Sequence, residues 1–133
     1  MQDSTATILL PSGDKGGCFV TVSFGDRRVT VVYAPAKTAL ILALNRELSA
    51  DADLDPLARG WRSPAQISDL LAYPLEESSL RRSISLINLA FARAAAQLDP
   101  PLNVPALITS KRKVGIRLTW PLTLIPPKSP NTG

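Results

Sequence analysis

Short apolar runs alternate with polar, glycine-containing segments in the first part of the chain, which is typical of β-strands. ATILL (6–10), CFVTVSF (18–24) and RVTVVY (28–33) are predicted strands. Gly25-Asp26 separates the last two and suits the tip of a hairpin. The pattern therefore predicts an N-terminal antiparallel sheet within residues 6–33. The face of CFVTVSF expected to be buried carries Cys18, Val20, Val22 and Phe24.

After this sheet, the apolar residues recur every three or four positions, which indicates helices. A first helix is predicted to residue 49, with Pro35 in its first turn, where the missing N–H needs no partner. A connection over 49–60 follows, with a short turn begun at Asp55-Pro56. The residues of the first helix expected to face the core are Leu40, Ile41, Leu44 and Leu48.

Two further helices are predicted. The second covers 64–73, because Ser63 and Gln66 have the spacing of a capping box. The third covers 78–98 and has the longest apolar stripe in the chain. The expected core positions are Ile67, Leu70 and Leu71 in the second helix, and Leu80, Ile84, Ile87, Phe91, Ala94 and Leu98 in the third.

The last pattern is a hairpin with a basic tip. VPALITS and VGIRLTW read as two strands within 104–120, and Lys111, Arg112 and Lys113 interrupt them. PLTLI adds a short strand, and residues 126–133 are predicted to be a disordered proline-rich tail. The fold class is therefore α+β, with an N-terminal antiparallel sheet, three main helices and a C-terminal β-hairpin.

This order of elements resembles a winged helix-turn-helix, in particular the C-terminal DNA-binding domains of OmpR/PhoB-type response regulators and the related SARP-type and ToxR-like domains. Four segments carry the resemblance. They are Ala34-Pro35-Ala36-Lys37 at the start of the first helix, SPAQISDLL as the second helix, LRRSISLINLAF as the recognition helix, and LITSKRKVGIRL as the wing, ending in Gly115-Ile116-Arg117-Leu118.

The resemblance implies one winged-helix domain over residues 1–125. Its expected parts are an N-terminal sheet at 6–33, a helical core at 35–98 and the wing at 104–120. The implied function is that of a bacterial-type transcriptional regulator that binds double-stranded DNA by sequence.

Charge distribution agrees with a polyanionic partner. The net charge is +4, and residues 61–133 carry nine Lys and Arg against four Asp and Glu. An exposed strip of the third helix would read the major groove, since Arg suits guanine and Asn suits adenine. The wing tip would contact the backbone or minor groove, and the start of the second helix would hold a phosphate. The expected DNA contacts are Arg62, Ser63, Arg81, Arg82, Ser85, Asn88, Lys111, Arg112 and Lys113.

Composition argues against several other classes. The chain has no histidine and only Cys18 as a cysteine, so a histidine-dependent active site and an internal disulfide are excluded. We expect neither enzymatic activity nor a cofactor or metal. Without a long apolar run or a secretory signal, we expect a cytoplasmic protein that does not contact membranes.

Other interpretations stay open from the sequence. The basic tip also suits a solvated turn that protects a sheet edge from aggregation. The apolar surface of the third helix and the N-terminal sheet suit a homodimer or a protein partner, so a winged-helix interaction module without DNA binding is one alternative. A replication factor, or a phage or plasmid DNA-binding factor, is another.

Overall fold

The computed structural model describes residues 4–10, 17–71 and 75–125. Within them the chain is α+β, with three helices, a four-stranded sheet and a separate two-stranded hairpin. The predicted tail at 126–133 lies outside the described residues. The elements are β1 (Ser4–Leu9), β2 (Cys18–Phe24), β3 (Arg27–Tyr33), α1 (Pro35–Ala50), α2 (Pro64–Leu70), α3 (Glu77–Ala96), β4 (Ile108–Lys111), β5 (Gly115–Leu118) and β6 (Thr123–Ile125).

The four-stranded sheet is mixed rather than antiparallel throughout. Its order is β3-β2-β1-β6; β1, β2 and β3 pair antiparallel, as predicted, but β6 lies parallel to β1. The chain returns from the β4–β5 hairpin to this edge through Leu122, whose backbone N–H and C=O both bond to the buried amide of Asn45 in α1. This long-range anchor fixes the direction of β6.

One apolar core joins the sheet to the helices and the hairpin. The predicted inner face of β2 is confirmed for Cys18, Val20 and Val22, which are buried, while Phe24 is partly buried against the ring of Trp120. Tyr33 donates a hydrogen bond to the Ile87 carbonyl of α3 (2.8 Å) and so ties the sheet to that helix. All four predicted core residues of α1 are buried.

Two helix ends differ from the prediction. The helix α2 ends at Leu70 instead of 73, because Leu71 is extended (φ −91°, ψ 153°) and the Ser68 hydroxyl bonds to the backbone of Leu75; positions 72 and 73 of the predicted helix lie outside the described residues. The helix α3 ends at Ala96 instead of 98. Ala94, a predicted core residue, is only partly buried, while Ala95 is fully buried, because a residue four positions after Phe91 lies closer to its side of the helix than one three positions after it.

The capping box of α2 and the short turn after Asp55 are confirmed. The strands of the hairpin are shorter than expected, since residues 104–107 lie outside β4. None of the helices in the described ranges is both long and apolar enough to span a membrane.

Candidate nucleic-acid interface

The tip of the β4–β5 hairpin presents three consecutive cations to solvent. The Val114 N–H donates to the Lys111 carbonyl (3.0 Å) and closes the turn, and Lys113 adopts a positive φ of 66°. The side chains of Lys111, Arg112 and Lys113 are exposed, and none forms an ion pair with another described residue. The tip therefore carries a charge of +3 that the rest of the described chain does not neutralise.

A third backbone segment supports this hairpin. Arg62 lies beside Ile116 of β5, with N–H to C=O hydrogen bonds of 3.1 and 2.9 Å in the two directions. Gly115 makes this approach possible, because a Cβ there would lie 2.9 Å from the Arg62 carbonyl oxygen, and because its φ of 136° disfavours any other residue. We call β4, β5 and their connecting tip the wing.

A groove of about 580 Å³ separates the wing from the starts of α2 and α3. It brings Arg81 together with the three tip cations, although about 30 positions of sequence separate them. Ser63 also lines it, and its hydroxyl caps α2 by accepting from the Gln66 N–H (3.2 Å). We call this the basic groove; its lining residues are Ser63, Pro64, Arg81, Ser110, Lys111, Arg112, Lys113, Val114, Gly115 and Ile116.

The outer face of α3 continues from the basic groove. Arg81, Arg82 and Ser85 are all exposed, as the sequence predicted. The Nε of Arg81 lies 2.8 Å from a carboxylate oxygen of Glu77, one turn earlier, in a solvent-exposed ion pair. Such a pair contributes about 0.3–0.5 kcal/mol, so a phosphate or a base could displace Glu77 at small cost.

The predicted phosphate contact at Arg62 has a different environment. Its guanidinium donates to Glu47 (2.7 Å) and to both carboxylate oxygens of Asp51 (2.9 and 3.1 Å). These bonds lower the pKa of the Asp51 carboxyl and raise the pKa of Arg62 further above its usual range. The charge of Arg62 is therefore neutralised by Glu47 in α1 and by Asp51 just after it, and its side chain is not among those lining the basic groove.

Asn88 is also occupied within the chain. Its amide donates to the Ile108 carbonyl (3.0 Å) and accepts from the Ile108 N–H (2.9 Å), the two groups that Asn would use to read adenine. This pair joins α3 to the first residue of β4. Asn88 therefore orients the wing relative to α3, and we leave it out of the proposed DNA contacts.

Substituting Asn88 by Ala is expected to destabilise the fold by about 1–3 kcal/mol, because two backbone groups of Ile108 lose their partner. Urea unfolding measures this change. The matched control is Ser85→Ala, an exposed position on the same helix, where we expect a change within about 0.5 kcal/mol. An Asn88→Ala protein as stable as the control, but with lost preference for adenine at one position, would instead make Asn88 a base contact.

Sequence reasoning missed the acids that hold Arg62 and the role of Arg117. The Arg117 guanidinium lies 4.5 Å from the centre of the Trp61 ring and donates to the carbonyls of Pro56 and Arg59. Trp61 thus packs against Arg117. The sequence signal for Glu47 and Asp51 was weak. Their spacing of four predicts that they lie near each other, but it does not indicate that Arg62 is their partner.

The described residues contain no group of three or more Cys, Asp or Glu side chains placed to hold a metal ion. Comparisons of the chain with models of known protein families, with characterised proteins and with solved structures found no match.

Proposed function

We propose that this chain is a winged helix-turn-helix protein that binds double-stranded DNA by sequence and acts as a transcriptional regulator. The observation that carries the proposal is the basic groove, where Arg81 of α3 meets the three cations of the wing tip. A surface that brings three unpaired cations beside a fourth, Arg81, held only by an exposed ion pair to Glu77, is suited to a phosphate backbone.

The order of the supporting elements agrees with this proposal. The elements α1, α2, α3 and the two wing strands follow one another along the chain, and Arg62, between α1 and α2, forms a single β-bridge with Ile116 of β5. A helix with its side chains is about 10–12 Å across, which matches the width of the major groove of about 12 Å, and Arg81, Arg82 and Ser85 are exposed on one face of α3. This face offers Arg81 and Arg82 as donors to bases or phosphates.

The backbone of the wing tip favours a functional role over a solvated turn. Lys113 adopts a left-handed conformation, which costs an ordinary residue about 1 kcal/mol and which glycine or asparagine adopts more easily. A turn whose side chains had no role would gain stability from glycine there. A lysine at this position supports a role for its charge.

Arg81→Ala tests the proposal at the helix. If Arg81 contacts a guanine by two hydrogen bonds, the variant should lose about 1–3 kcal/mol of binding to the preferred duplex and tolerate other bases at one position. Selection from a random duplex pool, followed by anisotropy titrations, measures both effects. The control is Glu77→Gln, which frees Arg81 from its ion pair and should tighten binding. Equal losses for all sequences would restrict Arg81 to phosphate contact.

One observation favours a second function. Leu86 and Leu89 on α3 are exposed, at 42% and 45%, and Leu89 lines an apolar groove of about 430 Å³ beside the segment that enters β4. Surfaces of this kind bury protein partners. A protein-interaction module without DNA binding would show a concentration-dependent mass and no affinity for any duplex at low salt.

A further inference from the structure

Arg62 links α1 to the wing through its side chain and its backbone at once. The side chain bonds to Glu47, in the last turns of α1, and to Asp51, which caps the end of that helix. Among the described residues, its backbone forms the only backbone-to-backbone hydrogen bonds between β5 and a segment other than β4; the side chain of Arg117 adds bonds to the carbonyls of Pro56 and Arg59. A rigid helix is therefore connected to the strand that carries the wing tip.

The guanidinium has little capacity left for a phosphate. Four of its N–H groups are directed to the acids and to the Trp61 carbonyl (2.8 Å), and only 19% of the side chain is exposed. Glu47 and Asp51 together outweigh its single positive charge. A contact with DNA through the remaining N–H would bring the carboxylates of Glu47 and Asp51 beside the phosphate backbone, which repels them.

The wing needs such support. Its strands pack into the core through Ile108, Ile116 and Leu118, but residues 110–114 at the tip are exposed, so the position of the tip depends on how firmly the strands are held. The two backbone hydrogen bonds between Arg62 and Ile116 hold its inner end, and the side chain of Arg62 bonds to Glu47 and Asp51 at the end of α1. Without this connection the tip cations would sample more positions, and DNA would bind only after ordering them.

We infer that Arg62 is a positioning residue, which holds the wing at the angle that brings Lys111, Arg112 and Lys113 into contact with DNA. The inference rests on the proposed function. It assigns Arg62 an effect on DNA affinity that acts through the wing cations and not through a contact of its own.

A double-mutant cycle separates these two roles. Arg62→Met keeps the length of the side chain and removes its ion pairs; it is combined with alanine at all three tip cations, and the four proteins are titrated with a labelled duplex. Arg62→Met should weaken binding about tenfold when the wing is intact, and less than about twofold when the tip is neutral. Arg46→Met, which removes a charge from the exposed surface of α1, should change affinity less than about twofold.

An equal loss of affinity in the proteins with the intact and with the neutral tip would overturn the inference. A direct phosphate contact of Arg62, or a general loss of stability, would weaken binding whether or not the tip cations are present. If Arg62→Met does not fold, Asp51→Asn weakens the same connection and should show the same dependence on the tip. Hydrogen exchange gives a readout without DNA. The Ile116 amide, bonded to the Arg62 carbonyl, should exchange at least about tenfold faster in the variant, with β2 unchanged.

Unchanged exchange at Ile116 would contradict the positioning role. A wild-type protein that binds no duplex would overturn the proposed function instead, and the exchange of Ile116 would still decide whether Arg62 holds the wing.

Discussion

Replacing Lys111, Arg112 and Lys113 together by Ala is expected to weaken binding to every duplex and to lower the salt dependence of the binding constant. Each cation that neutralises a phosphate releases counterions, and its loss reduces the slope of log K against log salt by about one unit. The triple variant should therefore lose about three units of slope. Fluorescence anisotropy titrations between about 50 and 200 mM salt measure the slope directly.

The control for this experiment removes the same charge elsewhere. Arg28, Arg46 and Arg93 are exposed and do not line the basic groove, so replacing all three by Ala changes the net charge by the same amount. We expect this control to lose less than one unit of slope. Equal losses in the two triple variants would mean that net charge, and not the wing, determines the affinity.

Replacing Phe91 by Ala is expected to destabilise the fold by about 3–5 kcal/mol, the largest effect on stability that we predict for one substitution. Phe91 lies on the inner face of α3 and is fully buried, and its ring centre lies 5.9 Å from that of Trp120. Small domains are stable by only about 5–15 kcal/mol, so the variant should be close to unfolding at room temperature. Urea unfolding followed by circular dichroism measures the change.

Leu89→Ala is the matched control, since Leu89 lies two residues earlier on the same helix and is 45% exposed. It should change stability by no more than about 0.5 kcal/mol. If Leu89→Ala costs as much as Phe91→Ala, then Leu89 is buried in solution, and a dimer or partner contact through this face of α3 becomes the better interpretation.

The sequence predicted the elements well where the signal was local. The hairpin β2–β3, the proline at the start of α1 and the capping box of α2 depend on neighbouring residues, and the structure has them at the predicted positions. The predicted end of α2 was wrong, and the parallel pairing of β6 with β1 was not predicted. They depend on specific side-chain contacts, of Ser68 with Leu75 and of Asn45 with Leu122, which no periodicity reveals.

The candidate site shows the same division. Adjacent cations in the sequence predicted an exposed basic tip, and helical spacing predicted the exposed position of Arg81. The sequence could not show that the side chains of Arg62 and Asn88 are occupied within the chain, because their partners lie on other elements: Glu47 and Asp51, 15 and 11 positions from Arg62, and Ile108, 20 positions from Asn88. Polar residues have several uses, and the tertiary fold decides among them.

The central claim is that the basic groove binds double-stranded DNA. The most direct test is an anisotropy titration of a labelled random-sequence duplex of about 30 base pairs with the wild-type protein, at about 50 and about 200 mM salt. We predict binding at the lower salt concentration that weakens markedly at the higher one. Absence of binding at the lower concentration, in a sample shown to be folded, would contradict the claim and direct attention to a protein partner.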